Sequence, residues 1–191
     1  MSEPTRPVVI ASDQLLLEWL TARMQVSVPH LVAIDGANGI GKSHRAKALG
    51  TALSCAVIDC DDFIRDGTKH YPHVLDLQSL HFAVKTSLQS THCVVVEGVL
   101  ILAVLAQIGF QPSSHIYVRH NWPAGTLTHL GLVSAQFSEA QLMAEQNEMC
   151  RAAGISDDQP ILVRELITYH KRRRPHEVAD AIVDVCFPIE L

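Results

Sequence analysis

At 191 residues, with 48% of positions hydrophobic, 5% aromatic and 18% charged, the chain is long enough for one domain with a buried core. Fifteen Lys and Arg against twenty Asp and Glu give a formal net charge of -5, which argues against general DNA or RNA binding, because no basic surface is available to displace counterions from a polyanion. The charge is uneven: Lys171, Arg172, Arg173 and Arg174 form one run, whereas residues 120–150 hold no Lys or Arg.

In chain order, Ser12 is placed to cap a helix in which Leu16, Trp19, Leu20 and Met24 recur at helical spacing, and Pro29 ends it. Leu31–Asp35, a glycine turn and a stretch through Ala46 and Leu49 read as strand, turn and helix. A second apolar run, Cys55–Ile58, leads into Asp59, Asp61 and Asp62. The spacing of Leu77, Leu80, Val84 and Leu88 predicts an amphipathic helix, and Cys93–Val96 is an apolar strand ending in Glu97. His115–Val118 and Ala181–Val185 are two further strand candidates. Between them, Ser138-Glu139-Ala140-Gln141 has capping-box spacing, and a helix is predicted over Ile161–Arg174 with Pro160 at its start.

Apolar strands alternating with helices indicate a parallel sheet covered on both faces, so the expected fold is an α/β three-layer sandwich with about five strands. With no internal repeat, low-complexity tract or linker, residues 1–191 are expected to form a single domain. Cys55, Cys60, Cys93, Cys150 and Cys186 lack Cys-x-x-Cys spacing, and no charged-then-apolar leader is seen, so a cytoplasmic setting is expected. The uninterrupted apolar run Val99–Ala106 is far shorter than a membrane span of about 20 residues, and no membrane partner is expected. None of the eleven histidines stands in a zinc-site array.

The strongest motif is Gly36-Ala37-Asn38-Gly39-Ile40-Gly41-Lys42-Ser43, a complete Gly-x-x-x-x-Gly-Lys-Ser/Thr. Glycines let successive N–H groups face phosphate oxygens, the following helix adds the positive end of its dipole, Lys42 supplies charge and Ser43 offers a hydroxyl to Mg²⁺. His44 completes the candidate nucleotide-binding set. Ligands of such folds gather beyond the carboxyl ends of strands. That makes Asp59, Asp61, Asp62 and Glu97 candidate partners of the loop, since a bound cation relieves the repulsion of clustered carboxylates. The competing reading of the three aspartates is a solvated acidic turn.

These residues resemble the uridine-kinase-like branch of the P-loop small-molecule kinases. The resemblance rests on Ala33-Ile34-Asp35-Gly36 running into the phosphate loop, Asp61-Asp62-Phe63, and Val95-Val96-Glu97-Gly98-Val99-Leu100, and extends to Pro175-His176-Glu177-Val178-Ala179-Asp180. It implies a P-loop nucleoside triphosphate hydrolase type of fold, with ATP and Mg²⁺ as cofactors. In that scheme Asp61 accepts the proton of the acceptor hydroxyl, and Ser43, Asp61 and Glu97 stand around Mg²⁺. Two departures follow. Ser90 runs at once into Thr91-His92-Cys93-Val94, which leaves no room for the family's pyrimidine-contacting hairpin, and the candidate lid segment, residues 120–158, offers His120 and His129 where the family places arginines.

Positive charge must then come from Arg119, Arg151, Arg164 or the Lys171–Arg174 run. Arg is preferred because its fork binds phosphate bidentately, and Arg164 and Arg172 join Lys42 and Asp61 as candidate catalytic residues. A solvated helix end is the competing reading of the run. Phe63, Arg65, His70, Tyr71 and His73 form either an acceptor pocket or an ordinary polar loop, and Trp19, Trp122 and Tyr169 read as packing residues. The expected activity is transfer of the γ-phosphoryl group of a nucleoside triphosphate to a hydroxyl of a small metabolite or nucleoside-like acceptor. The alternative is a nucleotide-binding switch or assembly factor that docks a protein partner through Leu127, Leu130, Leu132 and Phe137.

Overall fold

The computed structural model describes residues 6–24, 28–65, 71, 74–120, 132–152 and 161–185. In chain order it contains β1 (Val8–Ile10), α1 (Asp13–Arg23), β2 (His30–Asp35), α2 (Lys42–Leu53), β3 (Ala56–Asp59), a 3-10 turn (Cys60–Phe63), α3 (Leu77–Ser90) and β4 (Cys93–Glu97). These are followed by α4 (Ile101–Gln107), β5 (Ser114–His120), α5 (Glu139–Ala152), α6 (Ile161–Arg173), α7 (Pro175–Val178) and β6 (Ala181–Val185).

The strands form one six-stranded sheet in the order β1-β6-β5-β2-β4-β3, and every pairing is parallel. Strands covered on both faces have no polar side to alternate with, and so β2 and β4 are buried along their whole length. Residue parity in β2 divides the core. Leu31 and Ala33, with Val94 and Val96, meet Leu80, Val84, Ile101, Leu105 and Leu166 on one face. Val32 and Ile34, with Val95, Ile116 and Val118, meet Leu16, Leu20, Ala46, Leu142 and Ile167 on the other.

The caps read from the sequence close their helices. Ser12 Oγ accepts from Leu15 N at 3.2 Å. Ser138 and Gln141 bond reciprocally, with Ser138 N donating to Gln141 Oε1 at 2.8 Å and Gln141 N to Ser138 Oγ at 3.2 Å. Asp76 caps α3 by accepting from Ser79 N at 3.1 Å.

The sheet has six strands where about five are expected, because β1 pairs with β6 as a three-residue edge strand. Its Val8 and Val9 stay about half exposed, so the segment lacks the long apolar run by which the other strands announce themselves. Among the described residues no helix is long and apolar enough to cross a membrane. Of the expected lid, Leu127, His129, Leu130 and residues 153–158 lie outside the described residues. The docking face expected of the switch reading is corrected where it is described: Leu132 is buried and Phe137 packs against the core.

Candidate functional site

Parallel strands put their carboxyl ends on one edge of the sheet, and here three neighbouring strands end in acid. Asp35 closes β2, Glu97 closes β4 and Asp59 closes β3, with Ile34 opposite Glu97 and Glu97 opposite Asp59 in register. The phosphate loop leaves β2 at this edge and enters α2 at Lys42. Gly36, at φ 145, admits no side chain, because a Cβ there would lie 2.6 Å from Val118 O. Gly39 and Gly41 also have positive φ, 74 and 84.

Lys42 is buried, and its Nζ donates to Ala37 O at 2.9 Å, closing the loop on itself. Burial pushes its ammonium pKa down, while Glu97, Asp35, Asp61 and Asp59 pull it back up. Glu97 is pushed up to about 7, mainly by burial, although a hydrogen bond with Ser43 favours its charged form and one with Asp59 opposes it. Asp61 is raised by desolvation and by Asp59, with Lys42 acting against both. Asp59 also accepts from Asp61 N at 2.9 Å, which caps the 3-10 turn and fixes Asp61 beside the loop.

Asn38, Gly39, Gly41, Lys42, Ser43, Asp61, Glu97, Gly98 and Val99 line one cavity of about 180 Å³. A second cavity, of about 400 Å³, is lined by Tyr71, Leu100, Arg164, Glu165, Thr168, Tyr169, Arg172 and Arg173. The two are neighbours: Tyr71 Oη is 3.5 Å from where a Cβ on Gly98 would stand, and Val99 and Leu100 continue from one lining to the other. Among the described residues no three metal-ligating His, Cys, Asp or Glu side chains converge. The donors fit Mg²⁺ nonetheless, since this ion keeps several waters and takes only one or two carboxylates beside phosphate oxygens. The Ser43 hydroxyl and the Glu97 carboxylate, which touch one another, are hard oxygen donors of that kind.

The other expected site residues are more dispersed. Within the loop Ala37 and Ile40 are buried, and His44 is exposed on α2 away from both cavity linings. Phe63 packs against the core, while Arg65 is exposed and ion-paired with Asp76. Tyr71 joins the larger cavity, and His70 and His73 lie outside the described residues. Arg119 holds Asp184 through two bonds of 2.7 and 2.9 Å, which occupies its fork. Arg164 donates to Asn147 Oδ1 at 2.7 Å, and Arg172 pairs with Glu139 at 3.1 Å. The basic run is divided: Lys171 Nζ donates to Ser134 O at 2.7 Å, Arg174 pairs with Glu177, and Arg172 and Arg173 line the larger cavity.

Asp35 and Tyr169 were not read as site residues. Asp35 is fully buried; Gly36 N donates to its Oδ1 at 2.7 Å and the Tyr169 hydroxyl donates to Oδ2. Tyr169 Oη also accepts from Leu102 N at 3.3 Å, so one chain of hydrogen bonds joins the end of β2, α6 and the start of α4. The only sequence signal was an aspartate between an apolar strand and the loop glycine.

No protein-family profile matches the sequence, and a search of curated proteins finds no match. Among solved structures, a possible uridine kinase from Bacillus stearothermophilus is 15% identical, with a TM-score of 0.56 over 90% of this chain and 97% of its own. The two share a fold. A provisionally assigned fructose transport system kinase from Silicibacter sp. TM1040 is 17% identical over 94% of this chain and 100% of its own, with a TM-score of 0.45. A provisionally assigned kinase from Chloroflexus aurantiacus is 18% identical over 86% of this chain and 92% of its own, also at 0.45.

Proposed function

We propose that this protein is an ATP- and Mg²⁺-dependent kinase that transfers the γ-phosphoryl group to a hydroxyl of a small acceptor. The observation that carries this reading is the junction of the two cavities, one lined by Lys42, Ser43, Asp61 and Glu97, the other by Tyr71 and three arginines. A phosphate site alone would serve any nucleotide-binding protein; a second cavity opening beside its reactive end is what an acceptor requires. The shared fold with a possible uridine kinase is in keeping with it.

In this reading the amides of residues 36–41 and Lys42 hold the β- and γ-phosphates, with Lys42 exchanging its bond to Ala37 O for phosphate oxygen. Ser43 and Glu97 hold Mg²⁺, which when bound neutralises charge on those phosphates. Asp61 stands beside the loop and takes the acceptor's hydroxyl proton; its raised pKa makes it a better base than an ordinary aspartate. Arg164 and Arg172 line the acceptor cavity and supply positive charge on that side of the reaction. Residues 1–191 act as one domain, residues 120–158 as its lid, in a reducing cytoplasm that suits the thiols of Cys55, Cys60 and Cys93.

The test is ADP release from ATP and Mg²⁺ with a panel of sugars, nucleosides and hydroxy acids. One acceptor should stimulate release at least a hundredfold over the acceptor-free rate. Tight ATP binding with no stimulation by any acceptor would count against the reading.

A further inference from the structure

The larger cavity carries more positive charge than a neutral acceptor calls for. Arg164, Thr168 and Arg172 are four residues apart on one face of α6, and Arg173 lies beside them, against a single lining carboxylate, Glu165. Glu139 neutralises Arg172. Arg164, by contrast, has the neutral Asn147 amide oxygen as its hydrogen-bond partner, and Arg173 has no carboxylate partner among the described residues. None of these guanidiniums lines the phosphate cavity. At the junction, Tyr71 is buried with a hydroxyl that has no hydrogen-bond partner among the described residues, and burial pushes its pKa up, so it remains a donor.

A neutral acceptor in this cavity would leave the half-buried Arg164 and the exposed Arg173 without a countercharge, whereas an anion would pair with their forks. About 400 Å³ suits a small metabolite. We infer that the acceptor is an anionic hydroxyl compound, a hydroxy acid or a phosphorylated alcohol, whose anionic group is held by Arg164 and Arg173 while Tyr71 donates to an oxygen near the reacting hydroxyl. This rests on the kinase reading and narrows its substrate class.

The test uses the full chain, ATP, Mg²⁺ and matched acceptors: glycerol against glycerate and glycerol 3-phosphate, and ribose against ribose 5-phosphate. An anionic member should exceed its neutral counterpart at least a hundredfold in kcat/KM, and comparing glycerate with glycerol 3-phosphate separates carboxylate from phosphate ester. Arg173→Gln should raise the KM for the anionic acceptor more than tenfold and narrow its advantage over the neutral one. If a neutral acceptor is preferred, or if Arg173→Gln raises the KM for ATP instead, the inference falls while the kinase reading stands. If no acceptor reacts, calorimetry on protein loaded with a non-hydrolysable ATP analogue decides the matter. Binding of glycerate or glycerol 3-phosphate that Arg173→Gln abolishes would keep the inference without the kinase reading, and no binding of either would overturn it.

Discussion

The proposed chemistry turns on a few side chains whose ionisation is shifted first by burial. Asp61 lines the phosphate cavity at the start of a capped turn, and replacing it with Asn keeps its shape while removing the proton acceptor. Asp61→Asn should lower kcat by about 10² to 10⁴ with little change in ATP affinity, as general-base loss does; single-turnover phosphoryl transfer measures it. His176, at the start of α7, is mostly buried and held down to about 4, first by burial, with His170, Arg174 and Lys171 acting the same way and Glu177 opposing. Its folded pKa lies below the ordinary 6.5, so the native state binds fewer protons in that window. The stability it contributes is therefore present above about 6.5 and lost as pH falls through about 4. His176→Gln should flatten the decline in unfolding free energy between pH 7 and pH 4 by on the order of 1–3 kcal/mol, read from urea titrations at each pH.

Elements position these residues, and the sequence reported elements unevenly. Period-3.6 helices, continuous apolar strands and the Ser138–Gln141 box were legible because burial on one stripe or both faces dictates residue type at each position. Ser138→Ala removes the cap of α5 and should cost about 1 kcal/mol of stability in thermal unfolding, with Gln141 unable to replace the bond its own N–H loses. β1 was missed because three residues with an exposed edge need no particular pattern. The phosphate loop was fully legible, since backbone geometry demands glycine and charge demands lysine. The Tyr169–Asp35 bond was not, because its partners are 134 residues apart and only the packing of α6 over the sheet edge brings them together. For the same reason the sequence leaves Arg119 a candidate cation, whereas in the fold Asp184 on the neighbouring β6 occupies its fork.

At the scale of the whole molecule, a net charge of -5 is compatible with the proposed phosphate recognition because the binding power it calls for is local. In the proposed reading loop amides and one buried lysine hold the nucleotide phosphates, Ser43 and Glu97 hold the cation, and the guanidinium charge of Arg164 and Arg173 lies one cavity further on. In the proposed reaction the phosphoryl group passes from the first cavity to a molecule in the second. Phosphorus-31 NMR of ATP, Mg²⁺ and an accepted hydroxyl compound with the protein follows that transfer atom by atom. The γ-phosphate signal should be replaced, one for one with ADP, by a new phosphomonoester resonance, and Asp61→Asn should suppress it. Growth of inorganic phosphate alone, at a rate indifferent to the acceptor, would contradict the proposed reaction.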